Sequence, residues 1–553
     1  MADEADIFAQ IAELTTLAVG LFEAGKLGDA ENILSSLVQI VPGDAAVLKY
    51  LGIIHATRGQ YGQAIQYLAD LSGDAVAFNV LSVCCFQIGR HADALAAADH
   101  AIALRPGFHE AHNSRGNALN RLERHREAIA AFNTSLRLQP RDPIVMINLA
   151  NVWRDLKQPA EALEVLDQAL AIDGSIPDAH GNRGNVLHDL GRHDEAIGSY
   201  DRAIALDPRR AEPHQQKGNL LVDLGRYADA IGSFDAALAI DPDLARVHLT
   251  RSHCNLTLGN FAEGWREYEW RWQGSPVPAP RQAFTAPLWL GEESLEGRSI
   301  LLHCEQGQGD CIQFVRYATT LAERGARVLV QAYEPLAELF RSVAGVEGVV
   351  VRGEPAPLTD FQCPLLSLPL ALGGATQTRT PYLSASPALV AAWRARLPGH
   401  GGRRIGLTAS GNAAHKNDHN RSLPLAALAG SLPAGPRYVL LQKDLRNADR
   451  AVVENRADIT FLGDQIGGFQ DTAAICESLD LVISVDTSVA HLAGALDRPT
   501  WILLPTHPDW RWGLETRTTP WYPSATLYRQ DRRGDWSSVL ERLAGDLGRR
   551  VFD

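Results

Sequence analysis

Residues 184–208 read GNVLHDLGRHDEAIGSYDRAIALDP, and residues 218–242 read GNLLVDLGRYADAIGSFDAALAIDP. The two stretches superpose at a shift of 34 residues, and the same shift organises the chain on either side of them. Gly116, Ala150, Gly184 and Gly218 stand 34 apart; Ala128, Ala162, Ala196 and Ala230 follow them by 12, and Phe132, Leu166, Tyr200 and Phe234 by 16. Pro140, Pro208 and Pro242 close their units, and Gly174 holds the equivalent place in the remaining one. Between these markers each unit carries two amphipathic helical patterns joined by a turn such as Leu190-Gly191-Arg192. Small residues let two helices approach closely, and a large one fills the groove between them. Proline, with no N–H to donate, ends the second helix.

Looser copies extend the array: Gly25, Ala30 and Pro42; Gly52, Gly59 and Ala64; Gly89, Ala94 and Pro106; and a degenerate last copy from Ala245 through Gly259. The pattern resembles the tetratricopeptide repeat, with seven repeats and a partial eighth over about residues 11–273. Stacked repeats of this kind form a superhelix with a long concave face. Asn117, Asn151, Asn185 and Asn219 recur at period 34, one residue after the marker, and Asn148 and Asn182 lie three residues before Asn151 and Asn185 on the same helix face. A carboxamide ladder can donate to and accept from a peptide backbone of any sequence, so these six are the candidate acceptor-protein contacts. The competing reading is a repeat consensus whose asparagines bind water or neighbouring helices.

Composition narrows the function. Of 553 residues, 46% are apolar and 21% charged, which excludes a disordered or fibrous chain. The charge is 52 − 65 = −13, and a nucleic-acid binder would be expected to carry a basic face instead. Only six residues are lysine, so a lysine inside a motif carries weight. The seven cysteines form no CxxC pair and read as free thiols of a reducing cytoplasm. The acidic start Met1-Ala2-Asp3-Glu4 does not fit a secretory signal, and no stretch approaches the about 18 apolar residues of a membrane span. A cytoplasmic protein with no nucleic-acid partner and no membrane span is expected.

Repeat character ends near Trp270-Arg271-Trp272, giving a repeat domain over 1–273 and a proline-rich linker over 274–297. Beyond it, short apolar runs alternate with helical stretches. Ser299–Cys304, Ala326–Val330 and Gly348–Val351 read as strands of a first α/β half, 298–400, with Cys311–Arg324 and Pro335–Val343 as its helices. Ile405–Thr408, Tyr438–Gln442, Ile459–Leu462, Leu481–Val485 and Thr500–Leu504 read as strands of a second, 401–553. Asp471–Leu479 and Asp486–Leu496 read as helices there, and the terminal helix Trp536–Val551 is expected to pack back across the first half. Such alternation implies parallel sheets, with ligands at the carboxyl ends of the strands.

Three motifs fall at strand ends. In His303-Cys304-Glu305-Gln306-Gly307-Gln308-Gly309-Asp310, glycines allow a tight path beside two acids, although Asp310 is also an apt helix cap. The polar loop from Ser410 to Ser422 holds two cations, Lys416 and Arg421. In Val485-Asp486-Thr487-Ser488-Val489-Ala490-His491 a strand meets a helix start, where free N–H groups and the helix dipole favour phosphate. Gln442 and Lys443, at another strand end, are candidates for a nucleotide pocket. The aromatic stretch Asp509-Trp510-Arg511-Trp512…Trp521-Tyr522 suits either stacking on a sugar or interface packing.

Together Glu305-Gln306-Gly307-x-Gly309-Asp310, Asn417-Asp418-x-x-Arg421-Ser422 and Ser484-Val485-Asp486-Thr487-x-x-Ala490-His491 resemble the motifs of bacterial glycosyltransferases fused to tetratricopeptide repeats, whose catalytic half is similar to heptosyltransferases and has the GT-B fold of two Rossmann-like domains. The resemblance implies a metal-independent enzyme with no cofactor, in which Asp310, or alternatively Glu305, takes the acceptor proton. Lys416, Arg421, Gln442, Lys443, Asp486, Thr487, Ser488 and His491 would bind a nucleotide-sugar donor. Members of this kind include flagellin glycosyltransferases that use activated nonulosonic acids such as pseudaminic acid. The implied acceptor is therefore Ser or Thr of flagellin, and the implied donor a CMP-linked nonulosonic acid. Competing functions are transfer to a lipopolysaccharide or other glycan, and a non-catalytic scaffold with a nucleotide-sensing half. Gln308 and Thr408-Ala409 depart from the family's usual wording beside the cleft.

Overall fold

The computed structural model describes residues 2–273, 284–374, 379–397, 402–414, 417–514 and 516–552. The chain divides into two compact units, Met1–Leu220 and Leu221–Asp553, and the division falls within the repeats, in the helix Ala211–Asp223.

Eight antiparallel helix pairs run from Ala2–Glu23 with Leu27–Ile40 to Ala245–Thr257 with Phe261–Tyr268. In the first unit the glycine markers have the role their period suggests. A Cβ at Gly52 would lie 2.5 Å from Leu68, at Gly116 2.6 Å from Phe132, and at Gly184 2.5 Å from Tyr200. The large residue 16 positions on thus packs directly onto the glycine backbone. Successive first helices are cross-linked at a spacing of 35 residues: Asn148 Nδ2 donates to Asn113 Oδ1 (3.0 Å), and Arg154 pairs with Asp189 (2.6 Å).

The second unit contains two wholly parallel sheets. Strands β1 (Ser299–His303), β2 (Arg327–Ala332), β3 (Val346–Val351) and β4 (Phe361–Pro364) form the first, in the order β3-β2-β1-β4. Strands β5 (Arg404–Thr408), β6 (Arg437–Leu440), β7 (Ile459–Phe461), β8 (Leu481–Val485), β9 (Thr500–Leu504) and β10 (Ala525–Arg529) form the second, in the order β10-β9-β8-β5-β6-β7. The order reverses at β1/β4 and at β5/β8, and the loops on either side of such a switch part at the carboxyl ends to leave a crevice. Strands β4 and β10 were not expected from the sequence; both lie at sheet edges. The helix expected over Cys311–Arg324 is two, Gln308–Phe314 and Tyr317–Glu323, separated at Arg316. The guanidinium at the break is buried and donates to the carbonyls of Gln313 (2.8 Å) and Trp521 (2.9 Å) and to the Tyr382 hydroxyl (2.9 Å).

The terminal helix, Ser537–Phe552, does not pack across the first sheet. Val539, Leu543 and Leu547 are buried with Tyr528 of β10 in the core of the second sheet, and the Tyr528 hydroxyl donates to Asp546 (2.6 Å). The last repeat pair is built into the same unit. Trp265 meets Phe314 and Trp510 edge-on, with ring centroids 5.5 and 5.2 Å apart, so a repeat helix, the helix Gln308–Phe314 and the 3-10 turn Trp510–Trp512 share one aromatic core. Among the described residues no helix is long and apolar enough to cross a membrane.

Candidate active site

The carboxyl ends of β1, β5, β6, β8 and β9 converge on a cleft of about 1220 Å³. Its floor is set by two helix starts pressed together. A Cβ at Gly309, in the helix after β1, would lie 2.9 Å from His491 Cδ2 and 3.5 Å from Ser488 Cα, in the helix Ser488–Ala495 after β8. Only glycine permits that approach, and it brings the first and third motifs into one wall.

Asp310 lines the cleft. It is not the N-cap of a helix from Cys311: the helix starts at Gln308, and from its third position Asp310 Oδ2 reaches back to accept from the N–H of Gly307, the residue that precedes the helix (2.9 Å), while its Oδ1 is paired with Arg511. Burial raises the Asp310 pKa, against the pull of Arg511. Glu305 is placed differently. It is buried, is not among the residues lining the cleft, and accepts both arms of Arg271 (Nη2 at 2.8 Å, Nε at 3.1 Å). Burial raises its pKa while Arg271 opposes. Glu305 thus anchors the last repeat segment to the β1 loop.

On the second sheet's side of the cleft, Arg421 lies against Gly411, where a Cβ would be 2.7 Å from its Nη2, and its Nη1 donates to the Asp486 carbonyl (3.2 Å). This ties the second motif to the third. The partly buried Thr487 precedes the helix in extended conformation, no side chain caps that helix, and Thr487, Ser488 and Val489 line the cleft. Thr487 Oγ1 is 3.1 Å from Ser484 Oγ. His491 is buried, with Nδ1 2.9 Å from the Tyr522 hydroxyl and its ring stacked 5.2 Å from Trp512. Burial, with Arg511 nearby, pushes its pKa down to about 3, so it meets a ligand as a neutral imidazole. Asp486 is pushed up to about 6 by burial and by Asp509. Gln442 accepts from the Ala409 N–H (3.2 Å) and donates to the Asp444 carbonyl (3.3 Å), holding the β5 and β6 ends together, while Lys443 is exposed at the rim. Lys416 lies outside the described residues. Asp471 accepts from Trp393 Nε1 (2.8 Å) and the Gly467 N–H (2.8 Å) and serves the fold.

The aromatic stretch is interior: Trp510, Trp512, Trp521 and Tyr522 are all buried, which favours packing over sugar stacking. What the sequence reading missed lies between those rings. Arg511 pairs with Asp310 and with Asp509 (2.8 Å), and both Arg511 and Asp509 line the cleft. Burial alone would raise the Asp509 pKa, but Arg511 holds it below the usual value. A second cavity of about 330 Å³ adjoins the cleft, sharing Asn417, Pro505, His507, Pro508 and Asp509 with it; Tyr227, Thr250, His253 and Thr257 of the last repeats form its other side. Among the described residues no cluster of three or more His, Cys, Asp or Glu is placed to hold a metal ion.

The six candidate asparagines all lie on the first helices of their pairs. Asn185 accepts from the Tyr200 hydroxyl (2.9 Å), and Asn148 bonds Asn113, so part of each carboxamide serves the solenoid. Asn117, Asn151 and Asn182 are half-buried and Asn219 is exposed.

Family models of the tetratricopeptide repeat match residues 21–77, 86–143, 114–175, 177–210 and 216–269. The N-terminal half is a solenoid of such repeats, which mediate protein–protein binding, followed by an α/β region with parallel sheets. The chain is similar to Protein FlbA of Caulobacter vibrioides, 28% identical over 318 residues, 52% of each chain; it thus spans about half the length of that curated relative. Solved structures it resembles include a tetratricopeptide repeat protein of Parabacteroides merdae (15% identity, 43% of this chain and 95% of that one, TM-score 0.38). Another is the repeat protein TTC0263 of Thermus thermophilus (22% identity, 33% and 100%, TM-score 0.31).

Proposed function

We propose that the α/β half is a GT-B glycosyltransferase and that the repeats deliver a protein to it. The observation that carries this reading is the pairing across one cleft of a carboxylate, Asp310, with an uncapped helix start and Arg421. Transfer requires a base for the acceptor hydroxyl and a fixed positive potential for the departing phosphate. Asp310 supplies the first. The N–H groups at Ser488 and Val489, the Thr487 hydroxyl and Arg421 supply the second. His491, being neutral, contributes a hydrogen bond rather than charge. Asp310 is favoured over Glu305 because Glu305 is committed to Arg271 away from the cleft. The adjoining cavity, bounded by repeat helices, supports a polypeptide acceptor over a free glycan. Following the motif resemblance, the acceptor proposed is flagellin and the donor a CMP-linked nonulosonic acid.

The test uses the full-length protein with purified flagellin and, separately, a lipopolysaccharide core, against CMP- and UDP-linked sugars, read by intact mass and nucleotide release. Mass added to flagellin, lost in Asp310→Asn while calorimetric nucleotide binding persists, is expected. Nucleotide binding without turnover of any donor favours the sensor reading, and modification of the glycan alone removes the protein acceptor.

A further inference from the structure

We propose that Arg511 is the positioning residue for Asp310: its guanidinium fork, anchored on Asp509 and Gln313, holds the Asp310 carboxylate in the orientation that receives the acceptor proton. The proposal rests on the transferase reading above. Each guanidinium nitrogen has a different partner: Nη2 donates to Asp310 Oδ1, Nη1 to Asp509 Oδ1 at 2.8 Å, and Nε to Gln313 Oε1. The side chain is 7% exposed, and its Cζ lies 4.3 Å from the Trp510 ring centroid and 5.8 Å from that of Phe314. The Arg511 N–H donates to Asp509 as well (3.1 Å), so the carboxylate that anchors the fork also fixes the backbone carrying it. The fork therefore cannot swing away without leaving two carboxylates without their cation and the Gln313 amide oxygen without its donor.

At the other end, Asp310 receives one donor on each oxygen, Arg511 on Oδ1 and the Gly307 N–H on Oδ2. Two donors fix the carboxylate plane, and each oxygen keeps a lone pair for a substrate hydroxyl. In the transfer, the acceptor O–H bond breaks with its proton passing to Asp310. The acceptor oxygen bonds to the sugar carbon as the sugar–phosphate bond breaks, and that electron pair leaves on the nucleotide phosphate. Arg511 touches none of these atoms. A lysine would carry the same charge, but one ammonium cannot hold three partners set around a planar fork.

A double-mutant cycle tests this on the full-length protein, with the donor and acceptor pair that the wild type uses. Arg511→Gln should lower kcat about a hundredfold, the scale of a misplaced catalytic group. Nucleotide Kd by calorimetry should change less than about threefold. Added to Asp310→Asn, it should cost less than about threefold more, because a residue acting through Asp310 has nothing left to position. Arg511→Lys conserves the buried charge and so guards against misfolding; it should still lower kcat at least about tenfold with donor KM unchanged. Equal losses in both backgrounds, weakened nucleotide binding, or wild-type kcat in Arg511→Lys each overturn the proposal while leaving the transferase reading intact. A wild type that turns over no donor, or an Asp310→Asn variant at full kcat, removes the transferase reading and this proposal with it.

Discussion

Lowering the pH from 7 to 5 should destabilise the second compact unit through His491. The imidazole is 6% exposed, lies against Trp512 and Tyr522, and has its pKa pushed down to about 3 by burial and by Arg511. Unfolded, it regains an ordinary value near 6.5 and takes up a proton that the folded state refuses. The stability it contributes is therefore fully present above about pH 6.5 and lost progressively as pH falls toward 3. Between pH 7 and pH 5 the loss is about 2 kcal/mol, at about 1.4 kcal/mol per pH unit below 6.5. Other groups titrate in the same window, so the quantity to measure is a difference: the pH 7 to pH 5 change in unfolding free energy for the wild type minus that for His491→Gln. Urea unfolding followed by tryptophan fluorescence suits this, because ten of the eleven tryptophans, Trp265 to Trp536, lie in the second unit and only Trp153 lies in the first. The wild type should lose about 2 kcal/mol more than the variant. Equal losses would show that His491 titrates in the folded protein as it does unfolded, which refutes its burial as a neutral group. A smaller loss in the wild type than in the variant would show that it is already charged at pH 7, and the assignment of all positive potential at the phosphate site to Arg421 and the helix start would fall with it.

Arg421→Ala should weaken binding of CMP or UDP ten- to a hundredfold, about 1.5–3 kcal/mol for one charge-assisted contact; unchanged calorimetric affinity would place the phosphate elsewhere. Arg271→Met should cost about 3–5 kcal/mol of second-unit stability by leaving Glu305 buried and unpaired, and adding Glu305→Gln should restore most of it without abolishing transfer. A double variant that folds but transfers nothing would return Glu305 to the base role. Gly309→Ala forces a Cβ to within 2.9 Å of His491, so it should cost about 1–3 kcal/mol and lower nucleotide affinity by parting the two helix starts. Wild-type stability and affinity in that variant would mean the helices yield freely.

The repeat array was legible in the sequence because its determining contacts are local. Gly184 and Tyr200 are 16 residues apart and meet within one helix pair, so the period of 34 already states which side chain packs on which backbone. The central strands β1, β5, β8 and β9 were legible for a related reason: buried along nearly their whole length, they read as apolar runs, whereas Phe361-Gln362-Cys363-Pro364 of β4 and Ala525-Thr526-Leu527-Tyr528-Arg529 of β10 are interrupted by polar residues or proline. Helix starts and strand ends placed Asp310, Arg421 and Thr487 as separate candidates, each with its own capping or loop alternative. Tertiary structure alone decided which of them meet. Asp310 and Arg511 are 201 residues apart, and Arg271 and Glu305 belong to what read as different domains. No spacing rule links such partners, since their encounter depends on where the strand order reverses and on one glycine, Gly309, that lets two helix starts touch. The same distinction separated the two acids of the first motif. Five residues apart in one motif, Glu305 and Asp310 were both candidates for the base; the fold leaves Glu305 in the loop against a buried arginine and sets Asp310 in the helix that lines the cleft.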